Sequence, residues 1–106
     1  MGMGMVVYSV TAVLPSAEIA GQYARWLVEG HVQAVIQGGA RTANVTAWDG
    51  EGAVWKVEAV YEFEDRGALD RYMREFAPGL RAEGLARWGG VEGIRFERRV
   101  GDRVVV

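Results

Sequence analysis

Residues Trp55 to Phe63 constrain the fold more than any other stretch of the chain. Trp55, Val57, Ala59, Tyr61 and Phe63 alternate with Lys56, Glu58, Val60 and Glu62. Successive side chains of a strand point to opposite faces, so this pattern predicts a strand with one face in a core and the other toward polar surroundings. A sheet built on such a strand needs helices on one face only.

The rest of the chain supplies them. Val6 to Leu14 is rich in β-branched residues and stops at Pro15-Ser16, which predicts a first strand. Ser16 is placed to cap a helix, with Glu18 in the first turn where the helix dipole favours negative charge. That helix is expected to run to about Gln37 and to end at Gly38-Gly39. Arg41 to Trp48 predicts a second strand with Thr42, Asn44, Thr46 and Trp48 on one face. Asp49-Gly50-Glu51-Gly52 predicts a turn, the Asp-Gly pair being the hairpin signal, and the third strand follows from about Val54. Asp65 caps a second helix whose apolar stripe is Leu69, Tyr72, Met73, Phe76 and Ala77. Pro78 breaks or re-caps it, and Leu80 to Trp88 continues as a further helical piece ended by Gly89-Gly90. The fourth strand is expected from about Gly93 to Val100, with residues 101–106 a tail or short strand and residues 1–5 loose.

The order β-α-β-β-α-β predicts an α+β, ferredoxin-like sandwich: a four-stranded antiparallel sheet with helices on one face. The other face would carry Thr11, Asn44, Thr46, Lys56, Glu58, Glu62 and Glu97. Two such faces meeting make a dimeric α/β barrel, so a homodimer is expected, with a fairly polar interface that includes Lys56, Glu58, Arg95 and Glu97.

At 106 residues the chain is expected to be one domain, long enough for a core without staples. It contains no cysteine, which removes disulfides, thiolate catalysis and cysteine-ligated metal and suits a reducing cytoplasm. A net charge of −2 gives no electrostatic case for nucleic acid. The arginines near the end of the chain alternate with Glu92, Glu97 and Asp102 and read as a solvated, mixed-charge face. Val6 to Leu14 is too short to span a bilayer, so no membrane association is expected. No glycine-rich phosphate loop is present, and one histidine cannot build a three-histidine metal site within one chain. No cofactor is expected, haem on a single histidine being the one form the composition leaves open.

Three segments carry a family likeness: Val7-Tyr8-Ser9-Val10-Thr11, then Trp26-Leu27-Val28-Glu29-Gly30-His31-Val32 with Val35, then Ala77-Pro78-Gly79-Leu80-Arg81-Ala82-Glu83-Gly84-Leu85. Together they resemble a bacterial family of small proteins classed as a domain of unknown function within the dimeric α/β-barrel, ferredoxin-like group. The likeness covers nearly the whole chain. Where that family reads Glu-His-Ile-Pro, this chain reads Gly30-His31-Val32-Gln33, with Glu29 displaced by one position. The resemblance thus matches His31 but not the acid beside it. The wider group includes small monooxygenases, haem-degrading enzymes, dehalogenase-like and dismutase-like members and proteins without known activity, and fold does not select among them.

His31 is the only histidine and the natural acid/base candidate near neutral pH. At about 100° per residue the helical wheel gathers Ile19, Ala20, Tyr23, Leu27, Gly30 and Ala34 on one sector and sets Trp26 and His31 on its opposite flanks. His31 then either faces a pocket between the first helix and the sheet or sits partly buried against a backbone carbonyl. Tyr8, Trp55 and Tyr61 are the candidate sheet-side walls of such a pocket, Tyr23 and Trp26 the helix-side walls, and Asn44 with Tyr8 the hydrogen-bonding groups; the same aromatics also serve as ordinary core. Two functional classes follow. One is a non-enzymatic module binding a small apolar molecule or a protein partner. The other is a cofactor-independent monooxygenase- or isomerase-like enzyme using His31.

Overall fold

The computed structural model describes residues 5–106. Four strands, β1 (Val6–Leu14), β2 (Thr42–Ala47), β3 (Trp55–Phe63) and β4 (Arg95–Asp102), form one antiparallel sheet in the order β2-β3-β1-β4. The helices are α1 (Ala17–Trp26), α2 (Val32–Gln37), α3 (Arg66–Glu75) and α4 (Ala77–Trp88). This is the ferredoxin-like α+β fold read from the sequence. The expectation of loose residues 1–5 lies outside the described residues except at Met5, whose carbonyl accepts from the Arg103 amide at 2.9 Å.

Register fixes the faces. Tyr8 pairs with Tyr61, Val10 with Ala59 and Ala12 with Val57 across β1 and β3, and all lie on the helix-covered side. Val57, Ala59, Tyr61 and Phe63 are buried there, as the alternation predicts. On the other side Thr11 pairs with Glu58 and Glu97, and Asn44 with Val60. Leu14, Leu27, Phe63 and Trp88 are fully buried in the core, each worth about 1.5–3 kcal/mol of burial.

The helix starts behave as their caps dictate. Ser16 accepts from the Ile19 amide at 3.1 Å and Asp65 from the Ala68 amide at 2.8 Å. Phe76, at φ −119°, separates α3 from α4, and Pro78 sits in the first turn of α4, where its missing N–H costs nothing.

Two local expectations fail. The hairpin tip is not Asp49-Gly50. Glu51 and Val54 exchange backbone hydrogen bonds around Gly52-Ala53, and Gly52 takes φ +64°. Gly50 instead lies beneath the Trp55 ring, where a Cβ would collide with the indole. The first helix is also not continuous. Residues Leu27–His31 form a single wide turn, with the Val32 amide reaching back five residues to the Leu27 carbonyl. Glu29 (φ −95°, ψ 22°) and Gly30 (φ 153°, ψ −35°) leave helical geometry, and the Gln33 side chain donates to the Val28 carbonyl at 2.9 Å where the backbone opens.

Candidate functional site

The wide turn decides what surrounds His31. On an α-helix, residues five apart project about 140° from one another. Widening one turn to five residues cancels that offset, so Trp26 and His31 come to the same side and their rings stack with centroids 4.4 Å apart. The opposite-flank expectation is therefore corrected. The buried face beyond the turn is also shifted, to Val32 and Val35 rather than Gly30 and Ala34.

A cavity of about 310 Å³ opens between the helices and the covered face of the sheet. Its sheet wall is Tyr8, Val10, Ala59 and Tyr61, with Phe96 and Arg98 from β4. The helix wall begins with Tyr23, Trp26, Leu27 and His31, and Tyr72 adds to it from α3. Helix α4 closes the far side with Leu80, Arg81, Leu85 and Trp88. The aromatic rings contact one another: Tyr23 lies 5.3 Å from Trp88 and 5.7 Å from Trp26, and Tyr8 lies 6.0 Å from Tyr61. A shallower groove of about 570 Å³ shares Trp26 and His31 and is rimmed by Arg25, Glu29, Glu83 and Arg87. His31 therefore stands where the two meet.

Its imidazole has no protein hydrogen-bond partner among the described residues, so the backbone-carbonyl alternative is not realised. Burial holds His31 below its ordinary pKa, against the opposing pull of the Glu83 carboxylate. It is thus a neutral base or acceptor near neutral pH. Burial pushes the hydroxyls of Tyr23 and Tyr72 up to about 12, although the positive charge of Arg98 opposes the shift at both. Burial likewise pushes Tyr61 up. All three stay protonated, and as donors, under ordinary conditions. Arg81 donates to the Tyr8 hydroxyl at 3.4 Å. The indole N–H of Trp88 is buried without a partner among the described residues. Among the described residues no three histidine, aspartate or glutamate side chains cluster to hold a metal.

Of the residues singled out in the sequence, the structure brings Tyr8, Tyr23, Trp26, His31 and Tyr61 to one cavity. Asn44 and Trp55 are elsewhere. Asn44 is paired with Val60 on the uncovered face, and Trp55 packs over Gly50 at the end of β3. Tyr72, Trp88, Arg81 and Arg98 were missed. For Arg98 the signal was available: it shares strand parity with Phe96 and Val100, so it faces the helices. Arg81 depends on how α4 is seated, which periodicity does not report.

Residues 5–92 match the family described as a domain of unknown function, DUF4286. The chain belongs to this family. No curated protein gives a match. Among solved structures the DUF4286 chain is similar to a dimeric ferredoxin-like protein from an uncultured marine organism, at 16% identity and TM-score 0.74, over 96% of this chain and 97% of the other. It is similar to an ethyl tert-butyl ether d (ethd) family protein from Bacillus halodurans, at 15% identity and TM-score 0.72, over 94% and 99%. It is also similar to a Streptomyces coelicolor monooxygenase in complex with nanaomycin D, at 14% identity and TM-score 0.66, over 98% and 92%. Likeness at these identities concerns the fold.

Proposed function

We propose that this DUF4286 protein binds a small organic molecule with an apolar, flat body in the cavity between the helices and the sheet, and that it works as a homodimer. The observation that carries the binding reading is the cavity itself: about 310 Å³, walled by aromatic side chains and furnished with a few polar groups that converge on it. That is the usual form of a small-molecule site. The dimer reading draws on a sheet covered by helices on one face only and on a structural relative described as dimeric. No described helix is long and apolar enough to cross a membrane, and a cysteine-free chain suits the cytoplasm.

A second reading, an enzyme acting without a cofactor, rests on His31. A neutral imidazole with no protein partner, stacked on Trp26 at the cavity wall, is free to take a proton from a bound molecule. A library of small planar compounds screened by thermal shift tests both. A ligand at a hundredfold excess over its Kd stabilises the fold by about 2.7 kcal/mol. His31→Ala then separates the two classes: turnover lost with binding retained supports the enzyme, and binding without turnover of any hit supports the module. If no compound raises the melting temperature, the cavity is not a ligand site.

A further inference from the structure

Eight of the eleven arginines lie within 4.0 Å of a carboxylate. The other three are Arg81, Arg87 and Arg98. Arg87 stacks its guanidinium over the Trp88 ring at 3.9 Å, at the rim of the groove that Glu83 shares. Arg81 and Arg98 both line the aromatic cavity, and no carboxylate lines it with them. The arginines left without counter-charge are therefore not scattered over the surface; two of the three converge on one hole.

Apart from the neutral imidazole of His31 and the Tyr8 hydroxyl, which accepts from Arg81, the remaining polar groups of the cavity have the same sense. Tyr23, Tyr61 and Tyr72 carry hydroxyls with no protein hydrogen-bond partner among the described residues. The Trp88 indole N–H, on a residue 1% exposed, has none either. Each can donate, and an indole N–H can do nothing else. With mostly donors, one neutral imidazole, aromatic walls and two guanidiniums that no lining carboxylate opposes, the cavity lacks an acceptor that carries negative charge.

Resting on the binding reading above, we propose that the ligand is an aromatic acid: a planar ring system bearing a carboxylate, with the ring between the aromatic walls and the carboxylate held by Arg81 and Arg98. A guanidinium presents paired N–H donors that match a carboxylate and form shorter, stronger hydrogen bonds than neutral pairs. At water's share of about 30 Å³ per molecule, the cavity equals about ten water molecules in volume. Bonded ring atoms pack more closely than separate water molecules, so this is room for one ring or two fused rings and an acid group.

Two probes of equal shape test this: 2-naphthoate and its neutral amide, 2-naphthamide, each titrated calorimetrically into the whole protein. The naphthoate is expected to bind at least about tenfold more tightly, since hydrogen bonds to a charged group exceed neutral ones by that order. Arg81→Met and Arg98→Met keep the aliphatic stem, and each should weaken naphthoate binding more than naphthamide binding, so that the preference falls. Binding should also move the indole N–H resonances of Trp26 and Trp88 and leave those of Trp48 and Trp55 in place. Equal affinity for the two probes, or a preference for the amide, overturns the acid assignment and leaves the cavity reading standing. Binding that moves Trp48 or Trp55 instead overturns the assignment to this cavity. Failure of both probes to bind at millimolar concentration overturns both readings.

Discussion

The imidazole of His31 lies against the indole of Trp26, with ring planes 24° apart. That contact exists because the backbone between them makes one turn of five residues, and the turn exists because residue 30 is glycine. Gly30 takes φ 153°, a region that L side chains rarely adopt. A Cβ there would meet nothing within 4 Å, so the constraint is the backbone conformation and not space.

Gly30→Ala should therefore cost about 1–3 kcal/mol in urea unfolding, through strain alone. It should also separate Trp26 from His31, read as loss of the ring-current shift on the imidazole protons. Gly21→Ala provides the opposite sign. Gly21 sits inside α1 with open space around its missing Cβ, so alanine should stabilise by about 0.5–1 kcal/mol. If both substitutions have the same sign, the wide turn is not held by Gly30.

Stability should depend on pH through His31 and the tyrosines, in opposite directions. The folded pKa of His31 is lowered by burial, so the unfolded chain binds the proton more tightly. Its contribution is fully present above the unfolded value of 6.5 and is lost as the pH falls from there through the lower folded value. Tyr23 and Tyr72 are raised to about 12, so their contribution is present below the ordinary 10.0 and is lost as the pH rises between the two values. His31→Phe should flatten the stability curve just below pH 6.5, leaving the fall below pH 4.5 that Glu62 contributes and the alkaline side unchanged. A tyrosinate absorbance titration should show the Tyr23 and Tyr72 signals appearing only on approach to pH 12.

The alternation in β3 determined the sheet faces, and the caps at Ser16 and Asp65 marked where helices begin, because strand parity and capping are local properties. From parity and helix pattern alone, Tyr8, Tyr23, Trp26 and Tyr61 could be assembled around one pocket. What was not legible is what depends on a single non-helical residue or on how one helix seats on another. A wheel assumes a constant step, so the Gly30 break misplaced His31 relative to Trp26 and hid the burial of Val32 and Val35. Asn44 was misassigned to the pocket although its own parity, shared with Thr42 and Thr46, already set it on the uncovered face. Trp88 and Arg81 required the packing angle of α4, which no period in the sequence encodes.

Trp88 combines two opposing effects. It is a large, fully buried side chain, and its N–H is unpaired, a debt of about 1–3 kcal/mol. Trp88→Ala should cost about 3–5 kcal/mol as a large cavity opens. Trp88→Phe removes the orphan donor while retaining one ring, so its cost should be less than half that of alanine in the same denaturant series. Equal costs would mean that the N–H is satisfied by a bound molecule or water.

The acids of the uncovered sheet face are paired within the chain, which suits the homodimer proposed above. Glu58 accepts from Ser9 at 2.8 Å and from Trp48 and Arg99 at 3.3 and 3.4 Å. Thr42 donates to Glu62 at 2.9 Å, and this bond, with the Arg103 ion pair, holds Glu62 below the usual carboxylate range. Both central carboxylates are thus compensated within the chain, and covering them strands no charge. Val60 lies between them on the same face and is half-buried. Light scattering at micromolar concentration should give about twice the 11.6 kDa chain mass. Val60→Glu adds a carboxylate that has no cation of its own, and in a dimer it is buried unpaired. It should raise the dimer dissociation constant by about a hundredfold, whereas Val60→Thr should leave it nearly unchanged. Circular dichroism of both variants separates lost association from lost fold. A wild-type chain that scatters as a monomer, or a Val60→Glu chain that remains as tightly dimeric, removes this face as the interface.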